Sequence, residues 1–205
     1  MKSSRILLVL IACAGALTAV AAACLLFFWG AYVKHMEGPA VRAVAGALPV
    51  PAARFAGHSV LLRDYLRDVR SIGTFLASEE AKKQGLNRAM TDADREQALE
   101  RLLKELALEE LAYKRKVEVT DEEVQDALMR EFNPQGSMEQ DFESLIMQTY
   151  GWTLDDFKSH VVRPALLTRR LSASFAADHG NDPQALDRYL EERIQEPDAV
   201  RYVRF

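Results

Sequence analysis

The residue types able to do acid–base, nucleophilic or metal chemistry are scattered along this chain. Its four histidines, His35, His58, His160 and His179, fall in no HExxH or other ligand spacing. Ser59 follows Gly57 and His58, but the stretch lacks the Gly-x-Ser-x-Gly pattern that lifts a nucleophile onto a strand-to-helix turn. No glycine-rich loop is placed to cradle a phosphate. Two carboxylate groups stand close together in the sequence, Asp121-Glu122-Glu123 and Asp155-Asp156. Each opens an expected helix, where negative charge complements the dipole and the free N–H groups, so capping is their expected role. No catalytic, cofactor-binding or metal-binding residue is expected, and no cofactor.

What remains is apolar. Met129, Phe132, Met138, Phe142, Met147, Tyr150, Trp152 and Phe157 crowd into one short region. Apolar helical stripes are usually packing core. The sharper reading is a groove for apolar segments of unfolded chains, because flexible thioethers and aromatic rings can repack around varied partners. These eight residues are the candidate client-binding set.

The elements that must position them read as helices. Leu62, Tyr65, Leu66, Val69 and Leu76 recur at helical spacing over about residues 60–80, with Arg63, Asp64, Arg67 and Asp68 between them. After a break at 87–90, Thr91 or Asp92 can cap a long helix reaching Lys116, with Leu99, Leu102, Leu103, Leu106 and Leu111 on one face. Thr120 with Glu123 forms a capping-box pattern ahead of Val124, Ala127, Leu128 and Phe132. Asn133-Pro134-Gln135-Gly136 ends that helix, and a short one carries Phe142, Leu145 and Ile146. Thr153 with Asp156 opens the next, in which Pro164 predicts a kink. A last helix is expected over about 183–195. The two ends of this region, RFAGHSVLL and AVRYVRF, read as extended. Residues 53–56 and 59–61 predict a small β-arm around a glycine turn, with residues 199–204 pairing beside it.

The chain has 205 residues and a formal net charge of −4, far from the basic balance that phosphate backbones favour, so nucleic acid is not an expected partner. Residues 6–33 contain no charged side chain. About 20 apolar residues span a bilayer, whereas a cleavable signal peptide has an apolar region of only about 7–15. A lipoprotein reading of Ala21-Ala22-Ala23-Cys24 is disfavoured because LLFFWGAYV continues the run. Lys2 and Arg5 precede the run, while Lys34 and Arg42 after it are diluted by Glu37. The positive-inside rule therefore puts residues 1–5 in the cytoplasm, a single-pass signal anchor at 6–33 and the domain on the extracytoplasmic side of the cell membrane. Both cysteines, Cys13 and Cys24, lie within this span. Residues 34–52, punctuated by Pro39, Pro49 and Pro51, read as a tether, and 53–205 as the domain.

The order and spacing of these elements resemble a known family. AARFAGHSVLLRDYL, LERLLKELALEELAYKRKVEVTDEEVQDAL and YGWTLDDFKSHVVRPALLTRRL are similar to successive segments of the SurA-type N-terminal chaperone domain. That domain is shared by membrane-anchored foldases such as PpiD and PrsA and is related to the trigger factor chaperone module. The resemblance covers about residues 50–205. It implies a mainly α fold: an N-terminal transmembrane helix, then about six helices with the small β-arm near 53–61 and 199–204. Phe55-Ala56-Gly57 stands where the family often has Val-Asn-Gly. Many relatives also carry a parvulin-type prolyl isomerase domain. None is expected here, and isomerase activity is not carried over. AVRYVRF is read as a closing strand, with the first strand of a truncated parvulin domain as the alternative. The resemblance implies a non-enzymatic, membrane-anchored chaperone for unfolded or nascent exported polypeptides. The alternatives are a foldase relative whose catalytic domain is missing or supplied elsewhere, and an adaptor docked to a membrane complex.

Overall fold

Thr91, Thr120 and Thr153 each open a helix by the same reciprocal pair of hydrogen bonds. The hydroxyl accepts the N–H three residues on, and the acid there accepts the threonine's own N–H: Asp94 at 2.7 Å, Glu123 at 2.9 Å and Asp156 at 3.1 Å. Of the carboxylate groups expected to cap helices, Glu123 and Asp156 do so. The structure, a computed structural model, describes residues 18, 21–34, 36–132 and 139–205.

Residues 21–32 are helical. The domain then runs α1 (Pro39–Ala47), β1 (Pro51–Phe55), β2 (His58–Leu61), α2 (Leu62–Ala77), α3 (Glu79–Lys83) and α4 (Asp92–Arg115). It continues with α5 (Asp121–Ala127), prolonged by a π-type turn at Leu128–Phe132, and α6 (Glu139–Tyr150). α7 (Leu154–Phe157) passes through a second π-type turn, Lys158–Val162, into α8 (Arg163–Asp178), before α9 (Ala185–Arg193) and β3 (Ala199–Arg201). The fold is mainly helical with a small sheet. Among the described residues no helix is long and apolar enough to cross a membrane. Half of the expected anchor at 6–33, residues 6–17, 19 and 20, lies outside the described residues.

The expected tether at 34–52 contains α1. Pro39 sits in its first turn, where its missing N–H costs no helical bond, and Gly38 precedes it in extended conformation. Val41 and Ala45, one turn apart, are buried in the same core as the rest of the domain. A short helix without a side-chain cap is marginal alone, so packing against α2 is what holds it.

β1 is the middle strand of three, in the order β2–β1–β3, antiparallel to both neighbours. Ala53, Arg54 and Phe55 stand opposite Arg201, Val200 and Ala199, so the ends of the domain close on each other as the sequence predicts. The β1–β2 loop is Ala56-Gly57, with φ of 48° and 88°. Positive φ at both central residues is the hairpin combination that matches strand twist, and Asn-Gly suits it best. Phe55 is fully buried, and the Arg193 guanidinium lies 4.4 Å from its ring centroid. Arg193 is in turn held by Asp198 at 2.7 and 2.9 Å, which ties α9 to the sheet. The core is one cluster uniting Phe55, Leu62 and Val69 with Leu99 and Leu103 of α4, Leu171 of α8 and Leu186 of α9.

Two predictions arise from these contacts. Ala56 has a Cβ in left-handed backbone, so Ala56→Asn should raise the unfolding free energy by about 1 kcal/mol. Urea denaturation reads this as a higher midpoint at unchanged slope; a lower midpoint would contradict the turn assignment. The second concerns Asp94, whose two carboxylate oxygens each accept from Arg88 at 2.6 Å. Arg88 first, and then the bonds from Thr91, hold this carboxyl well below the usual carboxylate range. A carboxyl lowered by folding adds stability above its unfolded pKa of about 4 and loses it as pH falls through the folded value. Asp94→Asn should therefore be less stable than wild type at neutral pH, with the gap closing on acidification. A gap that stays constant down to acid unfolding would rule this out.

Candidate functional site

α2 and α4 pack side by side in the core, and the chain from Tyr150 to Pro164 crosses them. Between these elements lies a cavity of about 670 Å³. Ile72 and Phe75 come from α2, Leu108 from α4, and Tyr150, Trp152, Phe157 and Val161 from the crossing segment. The Phe75 and Tyr150 rings stack with centroids 5.8 Å apart, and Tyr150 leans on Trp152 at 6.1 Å. These are mainly apolar walls, of the kind that bind by excluding water.

One corner is polar. Asp68 is 2% exposed, and Arg101 of α4 pairs with it and with Glu105 one turn along. Arg101 also donates to the His160 carbonyl at 3.3 Å, and its guanidinium lies 5.8 Å from the Trp152 ring centroid. Pro164 explains why that carbonyl is available. A proline at this place has no N–H to return to residue 160, and its ring crowds that carbonyl. The π-type turn at Lys158–Val162 accommodates the proline, and Arg101 supplies a donor. The kink expected at Pro164 thus takes the form of a widened turn at the cavity wall.

His160 is held on both sides. Arg67 lies 2.5 Å from its Nε2 and also pairs with Asp156 at 3.1 Å. Arginine only donates, so Nε2 accepts and Nδ1 carries the hydrogen, 3.7 Å from Glu105. Burial pushes the Asp68 carboxyl up from its ordinary value, with Arg101 opposing. Asp68 Oδ1 and Trp152 Nε1 are buried without a hydrogen-bond partner in the protein. The titratable side chains of this corner are engaged with one another, an arrangement that holds elements together. Among the described residues no group of three His, Cys, Asp or Glu side chains is placed to bind a metal.

Of the candidate client-binding set, the cavity brings together Tyr150, Trp152 and Phe157. Phe142 is buried behind them, edge-on to Phe157 at 6.1 Å. Met129 and Met147 are exposed and are not part of the cavity wall. Phe132 closes the π-type turn of α5, and Met138 lies outside the described residues. The other half of the wall, Ile72 and Phe75 with Asp68, Arg101 and Leu108, was not among the candidates. Asp68 is a correction, since it reads as solvent-facing between apolar residues and is instead buried. The available signal is spacing: Asp68 follows Tyr65 by three residues and precedes Ile72 by four, which places it on their face.

A family model described as the SurA-like N-terminal domain matches residues 3–172. The chain therefore belongs to the SurA-like N-terminal domain family, as the motif order suggested. No curated protein and no solved structure matches it. The family's domain is the non-catalytic chaperone module, and a chaperone-type function accords with it.

The polar corner generates a double-mutant prediction. Arg101→Leu strands a buried carboxylate and should cost about 3 kcal/mol or more, whereas Asp68→Asn removes the charge itself and should cost less. Adding Asp68→Asn to Arg101→Leu should restore part of the loss, measured by urea unfolding. Strict additivity would show that the two side chains do not depend on each other.

Proposed function

We propose that this protein is a membrane-anchored chaperone that holds apolar segments of unfolded exported polypeptides in the cavity between α2, α4 and the Tyr150–Pro164 crossing. The observation that carries the reading is the cavity itself: about 670 Å³, walled mainly by aliphatic and aromatic side chains, in a domain of the SurA-like family. Its volume suits one or two large side chains of a client, whose transfer from water supplies the binding free energy. Release needs no catalytic residue, because a client that buries the same groups in its own core gains that free energy for itself. Stacked rings give way to varied shapes more easily than a hydrogen-bonded pocket built for one ligand.

The uncharged run at 6–33 supports an anchor, and the charge bias around it supports an extracytoplasmic domain. Anchoring would raise the effective concentration of the cavity near chains emerging at the membrane.

The test is aggregation of an unrelated unfolded protein in the presence of the full chain reconstituted in vesicles. Wild type should suppress it at near-stoichiometric amounts. Ile72→Glu places a charge in the apolar wall and should raise the amount needed about ten-fold while leaving far-ultraviolet circular dichroism unchanged. Absence of suppression by wild type would refute the chaperone reading, and full suppression by Ile72→Glu would refute the cavity as its site.

A further inference from the structure

The apolar N-terminal helix does not hang from the domain by a loose segment. Ala31, near its end, is 4% exposed and belongs to the domain's core cluster. The Tyr32 hydroxyl donates to the Pro51 carbonyl of β1 at 2.6 Å. The Tyr32 carbonyl accepts from the Arg204 N–H at 3.2 Å, just beyond β3. Past the helix, Met36 N–H returns to the Gly30 carbonyl at 3.0 Å, and Glu37 pairs with Arg95 of α4 at 2.9 Å. Arg42 of α1 reaches back to the Glu37 carbonyl at 2.5 Å. The incoming helix is thus bonded to β1, to the segment after β3, and through Glu37 to α4. A flexible linker would share none of these partners.

The opposite side of the same helix is bare. Leu25 is 71% and Leu26 68% exposed, and Phe28, Trp29 and Val33 are also exposed. Lys34 lies over the Trp29 ring at 5.2 Å, placing a cation beside an indole at the end of the apolar run. The uncharged sequence extends upstream from Leu25 to Ile6, so the sequence that precedes this helix has the composition of a bilayer-spanning segment. A lipid bilayer is the occupant that fits. Trp and Lys at such an end are the side chains that favour the headgroup region.

From these contacts we propose that the domain is rigidly mounted on its anchor helix, with the sheet end turned to the bilayer and the client cavity held at a fixed stand-off. This rests on the membrane reading above and goes beyond it, because an anchor alone leaves the domain free to swing. Arg95 marks the mounted end of α4, and Arg101 to Leu108 line the cavity, roughly 9–20 Å further along the helix axis. A fixed stand-off restricts which part of an emerging chain meets the cavity. A tether would let the cavity sample a broad shell.

The experiment uses the full chain carrying Cys13→Ser, spin-labelled at the native, exposed Cys24 and at Tyr113→Cys near the far end of α4. It is reconstituted in phosphatidylcholine vesicles, checked by flotation, and its interspin distances are measured by double electron–electron resonance. A Gly-Ser insertion between Lys34 and Glu37 provides the breadth of a true tether. The mount predicts a narrow distribution in the parent and one about two-fold wider in the insertion variant and in Tyr32→Ala/Glu37→Ala. A parent distribution as broad as that of the insertion overturns the mount while leaving the anchor standing. Failure of the parent to float with vesicles overturns the anchoring itself. Tyr32→Ala/Glu37→Ala as narrow as the parent overturns the assignment of the mount to these contacts.

Discussion

β1 is the strand on which the rest of this domain is hung. It is hydrogen-bonded along both edges, to β2 by a two-residue turn and to β3 by the whole length of the domain. Its Phe55 is buried beneath the Arg193 guanidinium, and the Ala52 carbonyl accepts from both Tyr202 and Val203. A short sheet of this kind has little stability of its own. It persists because Phe55 is packed into the helical core, and the helices in turn keep their two ends together through it. The same strand receives the Tyr32 hydroxyl, so one extended segment closes the domain and meets the incoming helix.

The cavity depends on a second constraint, the proline at 164. Without an N–H there, the preceding turn widens, and the His160 carbonyl is left for a donor from another helix. Arg101 is that donor, and its other bonds engage Asp68 on α2 and Glu105 on its own helix. Three elements are thereby held around an apolar space without a side chain filling it. The Arg101–Asp68 pair ties the wall to α2 at the polar corner, while the stacked Phe75 and Tyr150 rings form its apolar side.

How much of this was legible depends on the range of each interaction. The caps at Thr120 and Thr153 were readable because a capping box joins residues three apart and needs no partner elsewhere. The long α4 was readable from its leucine spacing, and the β1–β3 closure from alternating side chains at the two ends. α1 was hidden because Gly and Pro dominate its surroundings and its apolar contacts lie on α2. The candidate site was half legible. Tyr150, Trp152 and Phe157 are neighbours in sequence, whereas Ile72, Phe75 and Arg101 reach the cavity from helices well upstream.

The sequence by itself determined the helical phasing, the caps, the uncharged run at 6–33 and the absence of a recognisable catalytic motif, because each is set by residue type and short spacing. Its motif order also marked the SurA-like family. Only the tertiary structure decided which apolar side chains fill the core and which face open space. Phe142 and Phe157 have the same chemistry, yet only Phe157 lines the cavity, while both are mostly buried. Asp68 likewise became a buried ion-pair partner because Arg101, thirty-three residues away, is brought onto it. Burial is a property of what packs against a residue, and no local pattern carries the identity of a neighbour that the fold supplies from another helix.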